Sequence, residues 1–149
     1  MAKDTQTIDA RRWLNRAWML EMEINALLAM KEETHDRVTS ITSSVADVRV
    51  SGTHDVHKLD RLVELEDKID RCIDNQIAIK EEIFDVIQRI TERRFRTLLI
   101  NRYIRFMTWE HIAVEMNYGY RHIHKMHRIA LYLVAQELEK MALNGTIDL

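Results

Sequence analysis

The chain has 149 residues, no proline, three glycines, 46% hydrophobic residues and a formal net charge of −2. A chain so poor in Pro and Gly, and so full of Leu, Ile, Ala, Met, Glu and Arg, reads as an all-α protein. One cysteine, Cys72, excludes an internal disulfide, fits a reducing compartment, and serves as a small apolar side chain. No apolar run reaches the roughly 18 residues of a membrane span, and the first residues lack the apolar core of a signal peptide. Asn144-Gly145-Thr146 matches a glycosylation sequon, which a chain that is not exported does not use.

The small net charge hides an asymmetry. Residues 1–87 carry 12 basic and 18 acidic side chains, residues 88–128 carry 9 and 3, and residues 129–149 carry 1 and 3. The local balances are therefore −6, +6 and −2. One stretch suited to a polyanion lies between two that are not.

In chain order, residues 8–33 are expected to form an amphipathic helix, with Trp13, Ala17, Leu20, Ile24 and Leu27 on one stripe. Thr7 or Asp9 caps its start, and Trp18 and Met22 widen its apolar surface. Residues 35–56, rich in Ser, Thr and Val, are expected to be a long mobile connection. Residues 57–90 give the longest helical pattern. Leu62, Leu65, Ile69, Cys72, Gln76, Ile79, Ile83, Val86 and Ile90 alternate at three and four residues, a coiled-coil seam with one polar position. Gln76 in that seam is either a device for register and oligomer state or a partly solvated position. A second stripe, Ile73, Ile77, Phe84 and Ile87, lies beside the seam, so this helix needs at least two partners. The first helix folding back covers one; the C-terminal helices or a second subunit cover the other. A third helix is expected over 94–106, with Phe95, Leu98, Leu99, Tyr103 and Phe106 or Ile104 inward. A fourth runs from Trp109 to about Met116, and a fifth from about Tyr120 to Met141, ended by Asn144-Gly145.

Residues 108–126 carry the most specific pattern. Thr108 stands at an N-cap position. Trp109, Ile112, Ala113 and Met116 form a buried side, with Ala113 small where two helices approach. Asn117 suits a left-handed turn, Tyr118 fills the angle between the helices, and Gly119 precedes the next helix. Ile123 and Met126 then point inward. Tyr120, Arg121, His122, His124, Lys125 and Arg128 are left for the outside. Arg121 and Lys125, four apart, share a face and suit guanine edges or phosphate oxygens. A cap, a small residue, a turn and a basic second helix make a helix-turn-helix, which places its second helix in the major groove of DNA. The bland alternative is a trihelical core with a solvated basic face.

His124 and His127, three apart, with His122 nearby, invite comparison with a metal site. No Cys, Asp or Glu adjoins them to complete a shell, so no metal and no cofactor are expected. His54 and His57 lie in or beside the long connection. Phosphate-binding loops, nucleophile elbows and paired catalytic carboxylates are missing, so an enzyme is not expected.

Residues Leu98–Ile104, Thr108–Ala113 and Met116–Leu131 together resemble a family of small phage and prophage proteins similar to the ArpU/RinA-type regulators of phage late genes. The C-terminal part resembles region 4 of sigma-70 factors. That resemblance implies base or phosphate contacts by Tyr120, Arg121, His122 and Lys125, with His124 and Arg128 on the flanks and Thr108 near a phosphate. Sigma factors carry Ser or Thr followed by Arg where this chain has Gly119-Tyr120, and Asn117 stands in place of the usual turn glycine.

The expected architecture is all-α: a long coiled-coil-like hairpin and oligomerisation region over 1–90, then a sigma region 4-like DNA-binding domain over 91–149. The expected function is that of a phage-encoded, sequence-specific transcription regulator, dimeric through its long helices and acting on double-stranded DNA in the cytoplasm of a bacterial host. Two alternatives are a module that binds host RNA polymerase and a small terminase subunit for DNA packaging, in which the DNA-binding unit usually comes first.

Overall fold

A computed structural model describes residues 2–44 and 53–145, and among them the backbone is helical with no strand. The α-helices are α1 (Ala2–Leu14), α2 (Arg16–Ser44), α3 (Thr53–Gln88), α4 (Arg93–Leu99), α5 (Trp109–Met116) and α6 (Tyr120–Leu143), with a π-helical segment at Ile100–Ile104 between α4 and α5. None of these helices is long and apolar enough to cross a membrane.

The helical bonding of α1 continues through Asn15 into α2: Asn15 N–H donates to the Arg11 carbonyl at 2.9 Å and Met19 N–H to the Asn15 carbonyl at 3.0 Å. Helix also extends beyond the stretch expected for it. Of the connection expected over 35–56, residues 35–44 belong to α2 and 53–56 to α3, while 45–52 lie outside the described residues. The helix penalty of Ser, Thr and Val is only tenths of a kcal/mol each, roughly 0.7 at most. Two hydroxyls here are satisfied within the helix: Thr34 donates to the Met30 carbonyl at 2.8 Å, and Thr39 to those of His35 and Asp36 at 3.1 Å.

The chain divides into two compact units, Met1–Met19 with Ala78–Leu149, and Leu20–Ile77. The division expected from charge and periodicity falls instead at residue 90. Contacts group α1 with the C-terminal helices because Ala10, Leu14 and Ala17 are buried in the same core as Ile83, Val86, Phe95, Leu98, Leu99, Ile112, Ile123, Met126, Ala130 and Val134. α1 packs directly on α6. The Arg16 guanidinium meets the Glu82 carboxylate at 3.0 Å on the surface of this unit.

The Leu20–Ile77 unit holds the middle of the expected stripes. Ile24, Leu65 and Ile69 are buried, and so is Gln76, at 7% exposure. The Gln76 amide donates to the Glu21 carboxylate, and Lys31 pairs with Glu66 at 3.0 Å. Rising numbers on α2 thus meet falling numbers on α3 within this unit. Cys72 is half-buried, and Met22, Met30, Leu59, Val63, Ile73 and Ile77 are exposed.

The helix expected over 94–106 is regular only to Leu99. Arg105 N–H then reaches the Ile100 carbonyl at 3.0 Å, a five-residue return, and Met107 N–H reaches the Asn101 carbonyl at 2.9 Å. Phe106 takes a left-handed backbone, φ 57°, costing about 1–2 kcal/mol for a non-glycine residue. Its ring is held edge-on by Trp18 at 5.3 Å and by the Lys80 ammonium at 4.6 Å. The wider turn buries Asn101 and Tyr103.

Candidate nucleic-acid interface

α5 begins at an extended Thr108, whose Oγ1 accepts from His111 N–H at 3.3 Å, satisfying one unpaired donor of the first turn. α5 ends at Asn117, which is left-handed with φ 58° and ψ 44°. Asn tolerates that conformation better than other side-chain-bearing residues. Tyr118 N–H then closes the turn on the Ala113 carbonyl at 3.0 Å. Gly119 is extended, and its carbonyl accepts from Ile123 N–H at 3.0 Å, starting α6. Ile112 and Ala113 are buried, Trp109 and Met116 half-buried, and Ile123 and Met126 buried. Tyr118 differs from its expected place between the helices: it is 37% exposed, with its ring 5.0 Å from His122.

The residues expected to meet a ligand fall into two groups. Arg121, Lys125 and Arg128 are exposed and recur at four and three residues along one side of α6. Among the described residues none of the three has a carboxylate within ion-pair distance. Tyr120 and His122 are exposed at the start of the same helix. His124 is half-buried between rings, 4.5 Å from Tyr120 and 5.0 Å from Trp109. Thr108 is exposed but already engaged as the cap of α5. Because Trp109 follows it directly, the Trp109–His124 contact ties the first turn of α5 to the first turns of α6.

This contact continues inward. Trp109 lies 4.5 Å from the His127 ring, and the Tyr103 hydroxyl lies 2.6 Å from His127 Nε2. His127 is 2% exposed. Burial, with the charges of Arg11, Arg102 and His124 nearby, lowers its pKa from 6.5 to about 3. Burial likewise raises that of Tyr103. A phenol that keeps its proton and an imidazole that carries only one share this contact as a neutral pair, with the donor set by the imidazole tautomer. His127 is therefore a neutral core residue, on the same side of α6 as Ile123, Ala130 and Val134. Among the described residues no group of three or more His, Cys, Asp or Glu side chains is placed to hold a metal ion.

Several arginines of the basic stretch have internal work. Arg94 pairs with Glu92 at 2.9 Å, and Arg96 donates to the Ile90 and Thr91 carbonyls at 2.6 and 2.8 Å. Arg105 bridges Asn101 Oδ1 and Glu115, both at 2.9 Å. Arg102 stacks 4.5 Å over Trp109 and donates to the Met107 carbonyl at 2.9 Å. Sequence reasoning passed over Arg102 and Arg11. The signal for Arg102 was its place six residues before the capping Thr108; Arg11 left none, being distant in sequence. The +6 balance thus overstates the charge available to a ligand, and the unengaged part includes the outer side of α6. Comparisons with protein-family models, with curated proteins and with solved structures find no match to this chain.

Proposed function

We propose that the protein is a DNA-binding transcription regulator of the phage late-regulator type, with α5, the Asn117 turn and α6 as a sigma region 4-like helix-turn-helix. The observation that carries this reading is the unneutralised row Arg121, Lys125 and Arg128 on the outer side of a helix whose start is held by a capped helix and a left-handed turn. Phosphate neutralisation by that row supplies sequence-independent affinity. Tyr120 and His122, exposed at the start of α6, are the side chains for base edges, with His124 on the flank, because recognition helices meet bases with their first turns. Thr108 has its hydroxyl hydrogen left to donate to a phosphate.

The long helices α2 and α3 serve as the coiled-coil-like dimerisation region. In support, the Leu20–Ile77 unit buries few of its described side chains and leaves Met22, Leu59, Val63, Ile73 and Ile77 exposed, an apolar surface that a second subunit would cover. A dimer doubles the DNA contacts and sets the half-site spacing. Action on DNA places the protein in the host cytoplasm, with no enzymatic role and no cofactor.

The test is a binding titration against duplexes tiled from the neighbouring genome at two salt concentrations, with the oligomer measured by light scattering. Tight, salt-sensitive binding to one upstream tile, by a dimer, supports the regulator. Weak, uniform binding with tight capture of purified RNA polymerase transfers the assignment to the polymerase module. A ring of eight or more subunits transfers it to the terminase subunit.

A further inference from the structure

We infer that the N-terminal helix is part of the DNA-contacting face, with Lys3 on the first turn of α1 meeting a backbone phosphate at the far end of the basic row on α6. The inference rests on the DNA-binding reading above and adds to it an element remote in sequence.

Arg121, Lys125, Arg128 and Tyr132 succeed one another at intervals of four, three and four along one side of α6. At 1.5 Å per residue this row is about 16 Å long. A recognition helix meets base edges with its N-terminal residues, so the far end of this row is the part left for the sugar-phosphate backbone. At that far end α6 supplies no cation of its own: after Arg128 its next charged residues are Glu137, Glu139 and Lys140, and Lys140 is paired with Glu137. The missing cation comes from α1. The Lys3 ammonium lies 5.7 Å from the centre of the half-buried Tyr132 ring, one turn beyond Arg128. Among the described residues no carboxylate pairs with Lys3. Glu139, seven residues beyond Tyr132 and so on the same side of α6, reverses the sign of the surface and marks where a phosphate backbone is no longer welcome.

The position of Lys3 is set by packing. Ala10 and Leu14, two and three turns along α1, are buried in one core with Ala130, Val134 and Leu138 of α6. The contact of an exposed ammonium with a tyrosine ring is weak, about 0.5–1 kcal/mol, so Lys3 can leave the ring for a phosphate oxygen at little loss. Such a contact carries no sequence information; it raises affinity evenly and fixes orientation.

The test is fluorescence anisotropy of the full chain on a labelled mixed-sequence duplex over a salt series, comparing wild type with Lys3→Ala, Lys3→Arg and the double variant Arg121→Ala/Lys125→Ala. One phosphate contact fewer lowers the slope of log affinity against log salt by about 0.9 and weakens binding about fivefold at physiological salt. Lys3→Ala is expected to show both changes with an unaltered thermal melt, and Lys3→Arg neither. A Lys3→Ala protein that matches wild type in slope and affinity, while the double variant binds weakly, overturns this inference and leaves the DNA-binding reading standing. Lost affinity that Lys3→Arg fails to restore overturns it too, as a structural effect of the side chain. Wild type without salt-sensitive binding overturns both.

Discussion

The two units of this chain solve the problem of burying helices in different ways. In the unit formed by Met1–Met19 and Ala78–Leu149, six α-helical segments and a π-helical turn share one continuous core, and even a histidine and a tyrosine are drawn into it as a neutral hydrogen-bonded pair. In Leu20–Ile77, two helical segments share a seam in which few of the described residues are buried, one of them a glutamine. A pair of helices has too few neighbours to enclose apolar stripes on more than one side. The first unit encloses its helices in one core; the second keeps apolar surface outside.

The largest expected difference is in stability. Leu99→Ala, in the first unit, removes a fully buried side chain and should cost about 3–5 kcal/mol by denaturant unfolding. Ile69→Ala, on the seam, should cost about 2 kcal/mol, because water can enter the space it leaves. Equal losses would erase the contrast.

Acid should act on the first unit through His127. The unfolded imidazole takes a proton near pH 6.5, whereas the folded one resists down to about 3. Between those values the unfolded state binds the extra proton, so the stability contribution is complete above pH 6.5 and lost as pH falls toward 3. The loss across that window is on the order of several kcal/mol, and His127→Gln should flatten it in pH-resolved melts. An unchanged pH profile would show that His127 ionises freely.

Arg121→Ala/Lys125→Ala should weaken DNA binding by about 10- to 100-fold, each lost phosphate contact being worth about fivefold at physiological salt. Its folding stability should stay within about 0.5 kcal/mol of wild type, as for exposed positions without partners. Unchanged DNA affinity would remove the proposed face. The smallest effect is at the turn: Asn117→Ala should cost about 1 kcal/mol, since alanine resists the left-handed backbone. Gly119→Ala, at an ordinary φ with nothing within 4 Å of the added carbon, should change stability by less than about 0.5 kcal/mol.

The turn and its flanks were legible in the sequence because their causes are local. Thr108 caps whatever helix follows it, Asn117 tolerates a left-handed backbone anywhere, and a three-four alternation marks a helix side without reference to a partner. The interrupted helix after Leu99 was not legible: nothing in Ile100-Asn101-Arg102-Tyr103-Ile104 forbids regular helix, and the π-helical turn exists alongside a buried Tyr103 that meets His127 from 24 residues away. Helix at 35–44 is hidden in the sequence because Ser, Thr and Val are weak helix formers, although no Pro or Gly stands there to break it.

The sequence by itself determined the all-helical class, the bounds of α5 and the start of α6, and the sign and place of the charge excess, since each follows from propensity, capping and composition within a few neighbouring residues. Only the tertiary structure decided which of those charges are engaged, that His127 is a neutral core residue, and that the N-terminal helix shares a core with the C-terminal ones. Those outcomes depend on burial and on distances between side chains far apart in the chain, and desolvation, unlike periodicity, has no signature until the chain has folded.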